Sequence, residues 1–148
     1  LADFVAPRSS GLADHIGAFA ITAGLGADAL ATQHEEKHDD YTSILVKALA
    51  DRLAEAGAEW LHERVRSEWG YETQGSFSND QLIGEKYRGI RPAFGYPACP
   101  NLSDQEQLLD LLGADRIGLK LGDEDQLWPE QSTSAIVCHH PEARYFTI

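Results

Sequence analysis

The 148 residues contain no methionine, only two cysteines, few basic residues and no long apolar run. Because even an initiating methionine is missing at Leu1, we expect a piece of a longer polypeptide. Cys99 and Cys138 are too few for a disulfide-built secreted scaffold, which favours free thiols in a reducing compartment and leaves a single bridge open. No run approaches the roughly 20 apolar residues of a membrane span, and no secretory signal opens the chain. These absences predict a soluble, cytoplasmic protein.

Basic residues are outnumbered two to one, with 12 lysines and arginines against 24 acidic residues and a net charge of -12. Such a charge repels phosphate backbones and anionic lipid, so neither nucleic acid nor a membrane is an expected partner. The length suits one ordinary hydrophobic core. We therefore expect a single domain over residues 1–148.

The first half of the chain has the periodicities of a strand and two helices. Residues 15–22 alternate like a half-buried strand, and a short helix is expected from 27 to about 36. Residues 40–68 are predicted to form one long amphipathic helix, because apolar side chains recur there at three- and four-residue spacing: Leu45, Ala48, Leu49, Leu53, Ala56 and Trp60.

Two capping boxes and a terminal hairpin are predicted in the second half. Ser78 with Gln81 predicts a helix from 79 to about 87, and Ser103 with Glu106 predicts one that Gly113 closes. The β-prone runs SAIVCH and RYFTI, separated by residues 140–143, predict an antiparallel hairpin. The fold class expected is α+β, with an antiparallel sheet flanked by helices.

Between the two predicted helices lies a loop rich in proline and glycine, RGIRPAFGYPACP, at residues 88–100. Prolines stiffen such a loop, and glycines permit close approaches that other residues forbid. Arg91 offers a planar fork of donors that fits a carboxylate, and Tyr96 can supply an aromatic wall. The alternative is a loop that only connects two helices.

The string RPAFGYPACP resembles the RPAxGYPACP signature of the activation domain of cobalamin-dependent methionine synthase. The likeness continues through LADFVAP, the segment HDDYTSILVKALADRLAEAGAEWLHERVR, and WPEQSTSAIVCHHPEARYF near the end. It implies a domain of a methyltransferase that binds S-adenosylmethionine and offers its methyl group to cob(I)alamin. The cobalamin is expected in a neighbouring domain of the same enzyme, with flavodoxin or an equivalent as electron donor.

The resemblance also implies a set of ligand-binding residues. Arg91 would hold the methionine carboxylate, while Glu55 and Glu85 would lie near the cationic end of the ligand. The full set carried over by position is Arg91, Ala93, Gly95, Tyr96, Glu55, Glu85, Tyr145 and Phe146. Because the reduced cobalt is itself the nucleophile, no catalytic side chain and no metal ligand is expected. Family domains carry a further segment ahead of the point matching Leu1 and continue beyond Ile148.

Other readings stay open at this point. Glu55 belongs to an acidic ladder at four-residue spacing that would also suit a solvated helix face, and Glu85 could be a surface carboxylate. The run His34-Glu35-Glu36-Lys37-His38 matches the HExxH pattern of zinc hydrolases, although it lies in a polar stretch at a helix junction. The chain could also be an interaction module for a corrinoid protein or flavodoxin that binds no ligand.

For docking to an acidic electron donor, we expect a local basic cluster. Its candidate members are Arg64, Arg66, Lys86, Arg88 and Lys120.

Overall fold

The computed structural model describes residues 1–145, which form four α-helices, four strands and several short 3-10 turns. The strands are β1 (Gly17–Thr22), β2 (Lys120–Leu121), β3 (Leu127–Trp128) and β4 (Ser132–Val137). The helices are α1 (Ala27–Glu35), α2 (Asp40–Glu68), α3 (Asn79–Ile83) and α4 (Gln105–Leu112). Among the residues described, no helix is both long and apolar enough to cross a membrane.

Two small sheets hold the strands together. β1 pairs with β4, and β2 pairs antiparallel with β3 in the register Lys120 to Trp128. Ala23 N–H donates to the Gln131 carbonyl just beyond one end of the first pair, at 3.0 Å. The expected α+β fold, with small antiparallel sheets, flanking helices and one long helix, is confirmed.

The chain divides into two compact units. Unit 1 contains residues 1–19, 60–101 and 135–148, and unit 2 contains residues 20–59 and 102–134. In unit 1, Ile90, Cys138 and Ala143 are buried together, and Leu1, Phe4 and Ile136 pack against them. In unit 2, buried alanines of α1 and α2 and the buried Leu108 and Leu109 of α4 supply much of the interior. The single domain expected from chain length stays a prediction.

Helix α2 has the bounds predicted for it, but it buries a different face. Most of its large apolar side chains are exposed, namely Tyr41, Ile44, Leu45, Leu49, Leu53 and Trp60. The buried positions follow each other at four-residue spacing and carry small or polar side chains: Ala50, Ala54, Ala58, His62 and Arg66. Small side chains allow close approach of neighbouring backbone: a Cβ added at Gly57 would collide with the Ile21 side chain. The apolar stripe is therefore not the face that meets the core.

Several predicted boundaries need correction. The capping box at Ser78 and Gln81 is present, but α3 ends at Ile83 because Glu85 adopts a left-handed conformation, with φ of 51°. Helix α4 follows a 3-10 turn and has Asp104 at its N-cap position, one residue after the predicted Ser103. The first arm of the predicted hairpin is β4, whereas Tyr145 is not in a strand and Phe146–Ile148 lie outside the described residues.

Candidate functional site

The proline-rich loop lies alongside β4 in unit 1. Ile90 and Cys138 exchange two backbone hydrogen bonds of 2.9 Å, and Ala93 forms a further antiparallel bridge with Ala135. Gly89, with φ of 87°, lies so close to the chain that a Cβ there would collide with the Cys138 carbonyl oxygen. Glycine is therefore required where the loop first meets β4.

This pairing gives the loop the side-chain alternation of a strand. Ile90 and Pro92 are almost completely buried, while Arg91 and Ala93, which alternate with them, are half-buried. Because successive side chains of an extended segment point to opposite faces, Arg91 and Ala93 share the outer face. Two of the predicted site residues thus lie on one surface by the register alone.

Beyond the bridge the loop turns outward. Cys99 N–H donates to the Tyr96 carbonyl at 2.8 Å, and Gly95 N–H donates to the Cys99 carbonyl at 2.9 Å. Gly95 has φ of 85°, and Tyr96 is 66% exposed. The turn therefore leaves an aromatic ring available to a ligand on the surface of unit 1.

Tyr145 meets the loop at Arg91. The Arg91 backbone N–H donates to the Tyr145 hydroxyl oxygen at 2.9 Å. Burial raises the pKa of the Tyr145 phenol, Arg91 opposes that rise, and the negative charge of Glu85 adds to it. The phenol is therefore neutral at physiological pH, and Arg91, Glu85 and Tyr145 lie close enough together to influence one another.

A layer of buried polar side chains lies next to Arg91 and Tyr145, and the sequence did not predict it. Arg66 is fully buried, its Nε donates to Glu72 Oε2 at 2.6 Å, and its Cζ lies 4.2 Å from the centre of the Tyr87 ring. His62, also fully buried, packs edge-on against Tyr87 with 4.9 Å between ring centres. The signal that could have found it is spacing, because His62 and Arg66 continue the four-residue series of buried alanines on α2.

The environment of His62 keeps its imidazole uncharged. Burial first, and then the positive charges of Arg66 and Arg91, together lower the pKa of His62 to about 3. Neither ring nitrogen has a hydrogen-bond partner among residues 1–145. His62 is thus a neutral ring that lies near the guanidinium groups of Arg66 and Arg91.

For Glu55 and Phe146, membership of the site stays a prediction. Glu55 is exposed and belongs to unit 2, so its part in a site stays a prediction. Phe146 lies outside the described residues. In the acidic ladder around Glu55, Glu63 has a local structural role, because it accepts a hydrogen bond from the Gly75 amide at 2.8 Å.

The HExxH run has no zinc-binding geometry. His34 lies in the last turn of α1, whereas His38 lies beyond the helix with a left-handed φ of 58°. His34 Nδ1 contacts Asp39 at 3.0 Å, and Glu35 accepts a hydrogen bond from Ser43. Since the two histidines do not share one helical face, they cannot chelate a metal as the pattern requires. No group of three potential metal ligands occurs among the residues described.

Two other predictions are settled by burial and bonding. Cys99 and Cys138 are both free and buried, as favoured from their scarcity. The predicted basic docking cluster loses Arg66, because a fully buried, ion-paired guanidinium cannot meet a partner. Arg88 is exposed but donates to the His139 carbonyl at 2.8 Å and lies over the Tyr71 ring.

The chain matches a known family model and a solved structure. The family model described as vitamin B12 dependent methionine synthase, activation domain, matches residues 1–148. A solved structure described as the MetH reactivation domain bound to AdoHcy is 53% identical in sequence, with a TM-score of 0.94. The match covers 99% of this chain and 46% of that chain, so the present chain spans less than half of that protein's length.

Proposed function

The chain belongs to the family of vitamin B12 dependent methionine synthase activation domains, and from this membership we propose that it binds S-adenosylmethionine for reactivation of the enzyme. The related structure contains AdoHcy, which is what remains of S-adenosylmethionine after the methyl group has left. When bound, S-adenosylmethionine supplies an electrophilic methyl group to cob(I)alamin, which a neighbouring domain of the same methyltransferase holds. The domain is thus a binding and activation module for homocysteine methylation, and not an enzyme by itself.

The observation that carries the proposal is the place of Arg91. Its backbone is fixed twice, by the pairing of the loop with β4 and by the bond to Tyr145, while its side chain is half-buried. A guanidinium carried on a backbone anchored in this way can form two parallel hydrogen bonds to the carboxylate of a bound amino acid. The residues present therefore fit the methionine end of the ligand.

The rest of the proposed site suits a flat, cationic molecule. Glu85 supplies a carboxylate near Tyr145, which would offset the positive sulfonium or ammonium group of the ligand. Ala93 and Gly95 offer backbone groups, and the exposed Tyr96 ring offers an aromatic surface. Tyr145 with Phe146 at the nucleoside end, and Glu55 at the cationic end, complete the set proposed from the family motif.

The proposed residues have binding and orienting roles only. The transfer of a methyl group from a sulfonium to a reduced metal requires no proton to be moved by the protein, so no side chain is assigned as acid, base or nucleophile. What the chain contributes is the position of the ligand and compensation of its charges.

We propose the cobalamin-binding domain of the same enzyme, and flavodoxin or an equivalent electron donor, as partners. Arg64, Lys86 and Arg88 are exposed basic residues of unit 1 that can meet an acidic donor. Because exposed charges are screened by salt, raising ionic strength should slow activation by the donor. A rate that does not change with salt would remove the electrostatic docking proposal. We also propose a cytoplasmic location, since two free thiols fit a reducing compartment.

Calorimetric titration with AdoHcy tests the ligand assignment. Wild-type protein should bind, and Arg91→Lys should bind about tenfold or more weakly, because lysine keeps the charge but loses the two-pronged geometry. Arg116→Lys is the matched control: Arg116 bonds to the carbonyls of Leu112 and Gly113 in unit 2, so its replacement should leave affinity unchanged.

Two outcomes would contradict the assignment. Absence of binding by the folded wild-type protein would favour an interaction module without a ligand. Equal affinity of Arg91→Lys and wild type would remove Arg91 from the site.

A further inference from the structure

The buried polar layer of unit 1 has no assigned purpose in ligand binding. Arg66 and Glu72 form an ion pair whose side chains are 0% and 5% exposed. A buried pair of this kind stabilises a fold poorly compared with apolar side chains of equal volume, so stability alone is a weak reason for it. What the pair does locally is fix a guanidinium plane inside the unit.

That guanidinium holds the ring of Tyr87. Arg66 lies 4.2 Å from the ring centre, and His62 packs edge-on with an interplanar angle of 84°. The face of an aromatic ring attracts a cation, and its edge suits a perpendicular neighbour, so these contacts restrict both the tilt and the position of Tyr87. Because His62 is neutral, it places no second positive charge beside Arg66.

Tyr87 in turn contacts the ligand-binding group. The Tyr87 side chain hydrogen-bonds to Tyr145, and this bond opposes the rise that burial causes in the pKa of the Tyr145 phenol. The same Tyr145 oxygen accepts the Arg91 amide at 2.9 Å. Contacts therefore run without a gap from the buried ion pair, through Tyr87 and Tyr145, to the backbone of Arg91.

We propose that Tyr87 is a positioning residue of the S-adenosylmethionine site, which orients the Tyr145 hydroxyl and through it the main chain of Arg91. The inference rests on the function proposed above and adds a residue buried behind the ligand-contacting ones. The role of Tyr87 is to keep the Tyr145 hydroxyl oxygen where the Arg91 amide can donate to it. Arg66 and His62 serve by holding the Tyr87 ring.

The decisive variant is Tyr87→Phe, which removes one hydroxyl and keeps the ring that Arg66 and His62 contact. AdoHcy affinity should fall roughly tenfold, the usual effect of one well-placed hydrogen bond, while the melting temperature changes little. Tyr71→Phe is the matched control, because the buried Tyr71 hydroxyl has no hydrogen-bond partner among residues 1–145. The control should bind AdoHcy as wild type does.

A double-mutant cycle separates positioning from general structure. If Tyr87 acts through Tyr145, the Tyr87→Phe/Tyr145→Phe double variant should bind no more weakly than Tyr145→Phe alone. Additive losses would overturn the proposal. Hydrogen exchange at the Arg91 amide gives a second readout that needs no ligand: Tyr87→Phe should speed this exchange, and Tyr71→Phe should not.

The failures of the two proposals are distinguishable. If wild-type protein binds AdoHcy and Tyr87→Phe binds equally well with unchanged exchange at Arg91, only the positioning role of Tyr87 is lost. If folded wild-type protein does not bind AdoHcy, the ligand assignment fails and the positioning role fails with it.

Discussion

Asp14 and His139 are joined by a hydrogen bond of 2.9 Å between Oδ1 and Nε2, although they are 125 positions apart in the chain. Asp14 also accepts hydrogen bonds from the amides of Ala6 and His15, each at 2.8 Å. Its carboxylate therefore ties the N-terminal segment to the residue that follows Cys138. These three donors all favour the charged form of Asp14.

The first prediction concerns acid stability. The Ala6 amide, His139 and the His15 amide lower the pKa of Asp14 from 3.8 to about 2. Since the pKa is lower in the folded state, the stabilisation is complete above about pH 4 and is lost as the pH falls towards 2. Asp14→Asn should remove this pH dependence, measured as urea midpoints across that window. Asp3→Asn, at an exposed position of the same segment, should behave as wild type.

The second prediction concerns His62. Its pKa is lowered from 6.5 to about 3, so the unfolded chain binds a proton between those values and the folded chain does not. Stability should be complete above pH 6.5 and fall below it, by up to about 1.4 kcal/mol per pH unit. His62→Phe should flatten this slope in denaturant titrations, whereas His15→Gln at an exposed position should not. An unchanged slope in His62→Phe would mean that His62 is already charged in the fold.

The third prediction compares two ion pairs with the same 2.6 Å separation. Arg66→Met should cost about 3–5 kcal/mol in the free energy of unfolding, because it leaves the Glu72 carboxylate buried without its cation. Arg64→Met removes an exposed pair with Glu68 on the same helix and should cost less than about 1 kcal/mol. Urea unfolding of both variants measures the difference.

A double variant checks the cause of that difference. Arg66→Met/Glu72→Met should recover much of the stability that Arg66→Met loses, since no lone charge is left buried. If the double variant is less stable than the single one, the burial cost of Glu72 is not the explanation.

The fourth prediction concerns Gly89, which combines a left-handed φ with contact to the Cys138 carbonyl. Gly89→Ala should destabilise the protein by about 2 kcal/mol or more and weaken AdoHcy binding, because the loop must leave β4. Gly26→Ala has a similar φ of 80° but open space around the added carbon, so it should cost only about 1 kcal/mol. Equal losses in the free energy of unfolding would show that the structure adjusts to relieve the collision of the added Cβ at position 89.

Regular elements were predictable where local chemistry decides them. The acidic start of α2 and the reciprocal bonds of Ser78 and Gln81 are short-range effects that a sequence displays directly. The end of α3 was not predictable, because Glu85 adopts a left-handed conformation that is usually found at glycine or asparagine. The buried face of α2 was predicted wrongly because the large apolar side chains were expected to face the core. The face that packs carries alanines instead.

For the site, the motif supplied Arg91 and its neighbours, and the fold determines which of them meet. The contact between Arg91 and Tyr145 joins residues 54 positions apart, so periodicity cannot reveal it. His62 and Arg66 were overlooked as site neighbours because polar side chains on a helix are usually solvated. Their burial depends on partners far along the chain, Tyr87 above all.

The register of the loop against β4 has a consequence for insertions and deletions. Ile90 faces Cys138 and Ala93 faces Ala135, so inserting one residue between Ile90 and Arg91 would exchange the inner and outer faces beyond it. The Arg91 guanidinium would then point into the apolar interior, and the inserted residue would take its place on the outer face. Between Ile90 and Ala93, replacing an outward-facing side chain should therefore disturb the pairing with β4 less than changing the length of the segment.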